Sequence, residues 1–462
     1  MTPAPRGAIA CLAACSLGTA LGQTMVVPAL PAIQVRVGGS ADGVAAIMTW
    51  FLLVGAVSTP VAARLGRNLG ERSVLVSLLG CYAVGSLVAT VGVLHGSMTT
   101  IVAGRVLQGL SAGVIPLAFS IIRRIAPPER MAMNIVMMSS MLALGGAISL
   151  PLGGLMIDGM GVEWIFVVSL LAGLCSIVAV RVFLPSLEGA GWIRVDVRGA
   201  VLLGVGLTGL LLALADLPQH GWASWRTVPM LVVAIGVLVV WTRTELRTPE
   251  PLVDVRGLGD RVVLRANIVT FLIGFGTFGA FFLLPTLLQV PVSGGGLGLG
   301  ATGAALMTMP VALVNFAVSP LLGLLGRWYG LRLPVVVGCG AGAVTLGLIA
   351  VAPTSLAALV VASLMWGVAF AGGMAAMSNL IVQSVPAAQT GEVVGMNIII
   401  RNVGAAAGTQ AAAAVIALAA TWGAQPGHAV ALAIAMAALV SVVATACAVL
   451  IPVSGPVTRL AG

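Results

Sequence analysis

Two arginines stand deep inside apolar runs, and they are the residues most able to do chemistry in this chain. Arg105 lies in GRVLQGLSAG, Gly104 to Gly113, about two turns from one end of its run, with Gln108 three residues further on. Arg401 lies about ten residues into a later run, with Asn397 four residues before it. A charge at the centre of a bilayer costs roughly 2.5–3.5 kcal/mol on the insertion scale. Each arginine must therefore cap carbonyls and bridge helices, or meet a ligand or a coupling network. Acids are scarcer at depth. Asp42, Asp158, Glu163, Asp216 and Glu392 all fall at ends of apolar runs. Glu392 precedes Arg401 by nine residues, too far for contact along one helix. Gln23, Gln108, Asn134, Asn397, Asn402 and Gln410 read either as cavity lining or as interhelical hydrogen bonds.

A second pattern is aromatic. Phe271, Phe275, Phe278 and Phe282 recur at i, i+4, i+7 and i+11, one face of an α-helix. Counting Phe281, this short segment holds five of the eleven phenylalanines. Such a stripe packs against neighbours or lipid, or else forms an apolar wall for an amphipathic ligand. Other chemistry finds little support. The three histidines, His95, His220 and His428, sit at ends of runs, and the six cysteines have no CxxC or metal spacing. No HExxH or phosphate-binding loop occurs. No metal, cofactor or disulfide is expected, and an enzyme or redox subunit is disfavoured.

The elements that position these residues follow from hydropathy. Of 462 residues 60% are hydrophobic and 8% charged, with mean hydropathy +1.14. That composition places the chain in a lipid bilayer. Fourteen apolar runs span approximately 8–33, 43–63, 74–94, 98–122, 132–157, 163–183, 198–216, 228–243, 265–289, 301–326, 333–352, 355–384, 392–421 and 428–451. The first is too long for a signal-peptide core and reads as a span. All 22 basic residues are arginine. With the N-terminus inside, eighteen fall in inside segments and only Arg36 and Arg226 in outside loops, leaving Arg105 and Arg401 within spans. This asymmetry predicts two cytoplasmic termini. It also explains the net charge of +9 without a nucleic-acid partner.

The chain also repeats itself. PVAARLGRNLGER, 60–72, aligns without a gap to PLLGLLGRWYGLR, 320–332, matching at Gly66/Gly326, Arg67/Arg327, Gly70/Gly330 and Arg72/Arg332 among others. Each copy reads as a short basic turn between two spans. Met133-Asn134-Ile135 is echoed by Met396-Asn397-Ile398. The expected organisation is an N-terminal six-helix bundle (1–184), an inserted helix pair with cytoplasmic linkers (185–264) and a C-terminal six-helix bundle (265–462).

With these residues in view, the whole chain resembles the major facilitator superfamily, and more closely its fourteen-helix drug:proton antiporter branch. GRVLQGLSAG matches that branch's RxxQGxxA pattern at Arg105, Gln108, Gly109 and Ala112, and the 60–72 stretch matches the family loop GxLxDxxGRR in spacing. The run PAIQV after Ala29-Leu30-Pro31, and residues 380–404, also look like this branch, the latter like actinobacterial members. The departures concern acids. Arg67 and Arg327 stand where the family loop has Asp, and Leu21-Gly22-Gln23-Thr24 replaces LDxT. The GPxxGG pattern appears as Ser149 to Gly154, with Pro151 displaced by one and Gly153 and Gly154 retained.

The resemblance implies an all-α, multi-pass plasma-membrane protein exporting small amphipathic molecules by alternating access, with proton antiport. Arg105, Gln108, Gln23, Asn397, Arg401, Glu392 and the Phe stripe would serve substrate or coupling. The two basic turns, Gly109, Pro151, Gly153 and Gly154 would serve gating. Asp158 and Asp216 are further proton-carrying candidates, though each, like Glu392, also reads as a solvated helix-end charge. A site with arginines, amides and aromatics but no acid favours neutral or anionic compounds over cations. An importer, an uncoupled facilitator and a non-transporting sensor remain as alternatives on the same scaffold.

Overall fold

The structure of the protein, a computed structural model, describes residues 6–452 apart from 27–28, 38–40, 187–188, 190–195, 221–223, 249–250, 252–254, 282, 300 and 387–388. Every regular element among the described residues is a helix. Among the described residues thirteen helices are long and apolar enough to cross a membrane, and Arg198–Ala213 adds a shorter apolar stretch. Each of the fourteen apolar runs is thus mainly helical over its described residues. This is the expected solution in lipid, where a helix satisfies its backbone polar groups internally.

The elements fall into two compact units. The first comprises Met1–Leu207, Val237–Val255 and Pro386–Met396. It contains α1 (Arg6–Thr24), α2 (Leu30–Val37), α3 (Ala41–Leu69), α4 (Glu71–Leu94), α5 (Met98–Gly109), α6 (Val114–Ile125), α7 (Pro128–Gly159) and α8 (Glu163–Phe183). It also takes the first part of α9 (Val197–His220), the second part of α10 (Thr227–Arg247) and the opening turns of α19 (Thr390–Thr421). Here α4 packs on α5 and α8, and α1 on α7 and α8. Met25, Ile33, Ile47, Ile101 and Phe166 form part of its core.

The second unit comprises Thr208–Gly236, Arg256–Val385 and Asn397–Gly462. Its elements are α11 (Val255–Leu258) from Arg256 onward, α12 (Arg261–Ile273), α13 (Gly279–Phe281), α14 (Leu284–Gln289), α15 (Ala301–Tyr329), α16 (Arg332–Val351), α17 (Leu356–Phe370), α18 (Met377–Ser384) and α20 (Pro426–Val449), with the body of α19. Here α16 packs on α20 and α17, and α15 on α17. Trp366, Leu288, Leu346 and Ile434 are core residues. Turns of π-helix, Gly274–Phe278 and Ala371–Ala376, join α12 to α13 and α17 to α18.

Three sequence expectations need correction. The run 8–33 is two helices, because α1 ends at Thr24 and α2 starts at Leu30. Pro31 takes the second position of α2, where a missing N–H is tolerated. The basic stretches 60–72 and 320–332 are mostly helix rather than turn. α3 runs through Pro60 to Leu69, and α15 through Pro320 to Tyr329. Each break centres on a glycine, Gly70 at φ 91° and Gly330 at φ 90°, a conformation closed to side-chain-bearing residues. Finally, the run 265–289 is not one helix: it passes through the π turn, and a turn at Leu283 precedes the separate helix α14.

The repeat is more exact in structure than in sequence. α3 and α15 are both 29 residues long, and both their ends are offset by 260 residues. Arg72 Nη2 donates to the carbonyl of Arg181 at the end of α8 (2.7 Å), and Arg332 Nη1 to that of Val449 at the end of α20 (3.1 Å). The same arginine thus caps a helix C-terminus in each unit.

Candidate functional site

In the first unit the site grows from the glycines of GRVLQGLSAG. Gly104 lies against the backbone of Gly85 and Ala89, Gly109 against Phe51, and Gly113 against Ala62. A side chain at any of these positions would drive α3 and α4 away from α5. Gly109 thus acts through close packing. The approach encloses Arg105 completely, at 0% exposure. Its Nη1 donates to Gly22 O (3.2 Å) and Gln108 Oε1 (2.8 Å), and its Nε to Ile47 O (3.4 Å). The guanidinium carbon sits 4.1 Å from the centre of the Phe51 ring. Gln108 Nε2 in turn donates to Ser86 Oγ (2.7 Å). No carboxylate pairs with Arg105 among the described residues. Carbonyls, an amide and a ring face replace its water.

Gly22 accounts for the missing acid in steric terms. A Cβ there would overlap the Tyr82 hydroxyl and crowd Ser169 Oγ at 2.9 Å. Tyr82 is 1% exposed, and its hydroxyl donates to Gly18 O (3.2 Å). The phenol occupies the space that an acidic side chain at position 22 would need. Gln23, beside it, is half-buried and outside this hydrogen-bond set.

The end of α3 carries a charge cluster in the same unit. Arg67 pairs with Glu392, which is 3% exposed. The reading of Glu392 as a solvated helix-end charge is therefore corrected: it is an enclosed partner of an arginine. Glu71, 2% exposed, accepts from Ser120 Oγ and from Arg124 Nη1 (3.1 Å). Gly66 abuts Leu117 and leaves α3 close to α6. α7 continues through the half-buried Pro151 to Gly159. Gly145 packs on Leu17 and Ala20 of α1, Gly153 is buried, and Gly154 faces open space.

In the second unit α12 and its π turn lie against α19 through glycine. Gly274 meets the backbone of Arg401, Gly404 that of Phe271, and Gly408 that of Phe275. Asn397 Nδ2 locks the register, donating to Asn267 Oδ1 (2.9 Å) and Thr270 Oγ1 (2.8 Å). One turn later Arg401 is 7% exposed, its guanidinium carbon 5.3 Å from the centre of the Phe278 ring. Among the described residues it makes no hydrogen bond and no ion pair. Three members of the expected phenylalanine face, Phe271, Phe275 and Phe278, are described, and they meet different partners. Phe271 and Phe275 are 6.4 Å apart, whereas Phe278 turns to Phe370 at 4.4 Å. Phe281 meets Phe370 at 5.3 Å and Trp366 at 5.7 Å. The π turn adds a residue to the helical period, so a 3.6-residue count fails beyond it. Phe282 lies outside the described residues.

The remaining candidates are dispersed. Arg327 is exposed, unlike its counterpart Arg67, and Gly326 contacts Pro334 and Leu331. Asp216 accepts from Thr227 Oγ1 (2.8 Å). The side chain of Asp158 lies outside the described residues. Sequence reasoning missed Tyr82, Glu71, Asn267, Thr270, Phe370 and Trp366. One signal was available for Tyr82: it is one of only two tyrosines and stands mid-run.

The family model for the Major Facilitator Superfamily matches residues 12–409. The chain belongs to the Major Facilitator Superfamily. Within the superfamily it is 28% identical over 394 residues to the tetracenomycin C resistance and export protein of Streptomyces glaucescens, covering 84% of this chain and 72% of the relative. It is 30% identical over 259 residues to the multidrug resistance protein B homolog of Mycobacterium tuberculosis, covering 54% and 47%. For several relatives the matched stretch spans only about half of their length, 47–58%. The crystal structure of the human organic anion transporter MFSD10 superposes with TM-score 0.66 at 18% identity, covering 96% of this chain and 99% of that one. That likeness concerns the fold alone.

Proposed function

We propose that this superfamily member is a secondary active transporter that exports small amphipathic organic molecules, neutral or anionic, across the plasma membrane. The observation that carries the charge preference is the pair of enclosed arginines, Arg105 and Arg401, neither with a carboxylate partner among the described residues. An environment of fixed positive charge, amides and aromatic rings disfavours a cation by Coulomb repulsion and accepts an anion or a neutral dipole. The names of the relatives, which speak of multidrug resistance and of tetracenomycin C resistance and export, support export of such compounds.

The working organisation is two six-helix bundles, 1–184 and 265–462, with 185–264 inserted and both termini cytoplasmic, and transport proceeds by alternating access. Proton antiport is the coupling in this reading, with Glu392, Asp158 and Asp216 as carriers to test. One observation favours a second reading, an uncoupled facilitator: the Tyr82 hydroxyl occupies the place of a first-helix acid. Uptake into inverted vesicles, across neutral, anionic and cationic antibiotics with and without an imposed pH gradient, separates the two. Uptake that collapses with the gradient supports the antiporter, and gradient-independent movement supports the facilitator. Strong uptake of cationic dyes such as ethidium would sink the charge preference.

A further inference from the structure

We propose that Arg401, stacked on Phe278, is the recognition site for the acid group of an aromatic carboxylate. The inference rests on the transporter reading above and names its substrate class. The two enclosed arginines differ in what their donors do. Arg105 spends its N–H groups on Gly22 O, Ile47 O and Gln108 Oε1 and sits at 0% exposure. It is held as a fixed structural bridge. Arg401 retains 7% of its surface and makes no hydrogen bond or ion pair among the described residues. A guanidinium carries five N–H donors in a planar fork. The surface that Arg401 keeps open leaves these donors accessible, so a ligand with matching acceptors can take them in charge-assisted bonds.

The surroundings specify the ligand. The fork matches the two oxygens of a carboxylate, which it takes through parallel bonds. The face of Phe278 holds the guanidinium at 5.3 Å, and beyond it Phe370 lies 4.4 Å from Phe278 and 5.3 Å from Phe281. Those rings offer offset and edge-on stacking to a flat aromatic body. Asn397, one turn before, is committed to Asn267 and Thr270, so it positions α19 and leaves the acid to Arg401. Gly274, Gly404 and Gly408 permit the backbone approach that brings Arg401 opposite the π turn carrying Phe278.

The test uses the full chain in phosphatidylcholine nanodiscs, titrated calorimetrically at neutral pH with 2-naphthoate and with its uncharged methyl ester. The acid is expected to bind saturably and roughly tenfold more tightly than the ester, in keeping with charge-assisted bonds in a desolvated site. Arg401→Gln is expected to weaken the acid about tenfold and leave the ester within about twofold. Phe278→Leu is expected to weaken both. Should Arg401→Gln fail to fold, Arg401→Lys keeps the charge without the fork, and a selective loss of acid binding is expected there too. Equal binding of acid and ester by the wild type, absence of saturable acid binding, or variants with unchanged acid affinity would each overturn the proposal. Export of neutral amphiphiles by a protein that treats acid and ester alike would sink this inference and leave the exporter standing. Acid-selective binding by a protein that moves nothing would do the reverse.

Discussion

Replacing Gly22 by alanine places a methyl group on the Tyr82 hydroxyl. The phenol must move, and two losses follow. Overpacking of a close-packed interior costs about 1–3 kcal/mol. The hydrogen bond from Tyr82 to Gly18 O is broken, at about 0.5–1.5 kcal/mol. Gly22→Ala should therefore cost about 2–4 kcal/mol in all. Tyr82→Phe alone loses only the hydrogen bond, about 0.5–1.5 kcal/mol. The double variant is the informative one, because removing the hydroxyl removes the overlap. The ring carbon that bore it lies 2.8 Å from the new methyl and Ser169 Oγ at 2.9 Å, so relief is partial. The double variant should then be more stable than the sum of the singles by about 1 kcal/mol or more, roughly fivefold in the unfolding constant. Equilibrium unfolding in mixed detergent micelles measures all three. Additivity within about 0.5 kcal/mol would mean that Tyr82 does not fill the Gly22 site, and the account of the missing acid would fail.

Further outcomes follow from the same geometry. Gly22→Asp combined with Tyr82→Ala should fold better than Gly22→Asp alone, and in vesicles its transport should depend more steeply on the pH gradient. Gly70→Ala and Gly330→Ala should each destabilise by about 1–3 kcal/mol, because both positions hold φ near 90°; thermal unfolding in detergent reads this, and stability unchanged in both would refute it. Asn397→Leu should cost about 1–3 kcal/mol by orphaning Asn267 and Thr270, whereas a substitution at the exposed Asn402 should stay within about 0.5 kcal/mol; equal effects would refute the assigned bonds. Glu392→Gln removes the ion pair between Arg67 and Glu392 and should increase proteolysis or labelling at the end of α3; labelling unchanged from the wild type would refute a role for that pair in holding the helix end.

The helices were legible because hydropathy reports burial in lipid directly, and apolar runs of sufficient length have one solution there. Their ends were less legible. Arginine and glycine in 60–72 suggested a turn, but a helix that leaves the hydrocarbon loses no backbone hydrogen bond by continuing, and only Gly70 stops α3. Arg105 and Arg401 were visible as charges in apolar runs, and Asn397 as an amide near one of them. What each arginine does was not visible. Their neighbours come from other helices: Gly22 and Ile47 for one, Phe278 for the other. Glu392 shows the same limit, since its partner is 325 residues away and a carboxylate at a helix end looks solvated until the packing is known. The phenylalanine stripe was legible only in part, for a local reason. Periodicity assumes a constant turn, and the π turn at Gly274–Phe278 removes that assumption where the stripe crosses it.

The repeat supplies an internal control that separates scaffold from specialisation. Where both copies keep a residue and its contact, the contact serves a need common to both units. Gly70 and Gly330 share one backbone conformation, and Arg72 and Arg332 each close the end of a helix. Arg67 and Arg327 keep the residue but not the contact, for the first pairs with an enclosed glutamate and the second is exposed. Identity of sequence across the repeat therefore does not establish identity of role. The same logic bears on the buried arginines, which have no counterpart in each other's unit at the repeat offset: residue 365, at that offset from Arg105, is Met365. Neither Arg105 nor Arg401 thus belongs to the part of the sequence that the two halves share. One is absorbed by carbonyls within its own unit and the other is left facing an aromatic ring, so a difference in task between them has a structural basis.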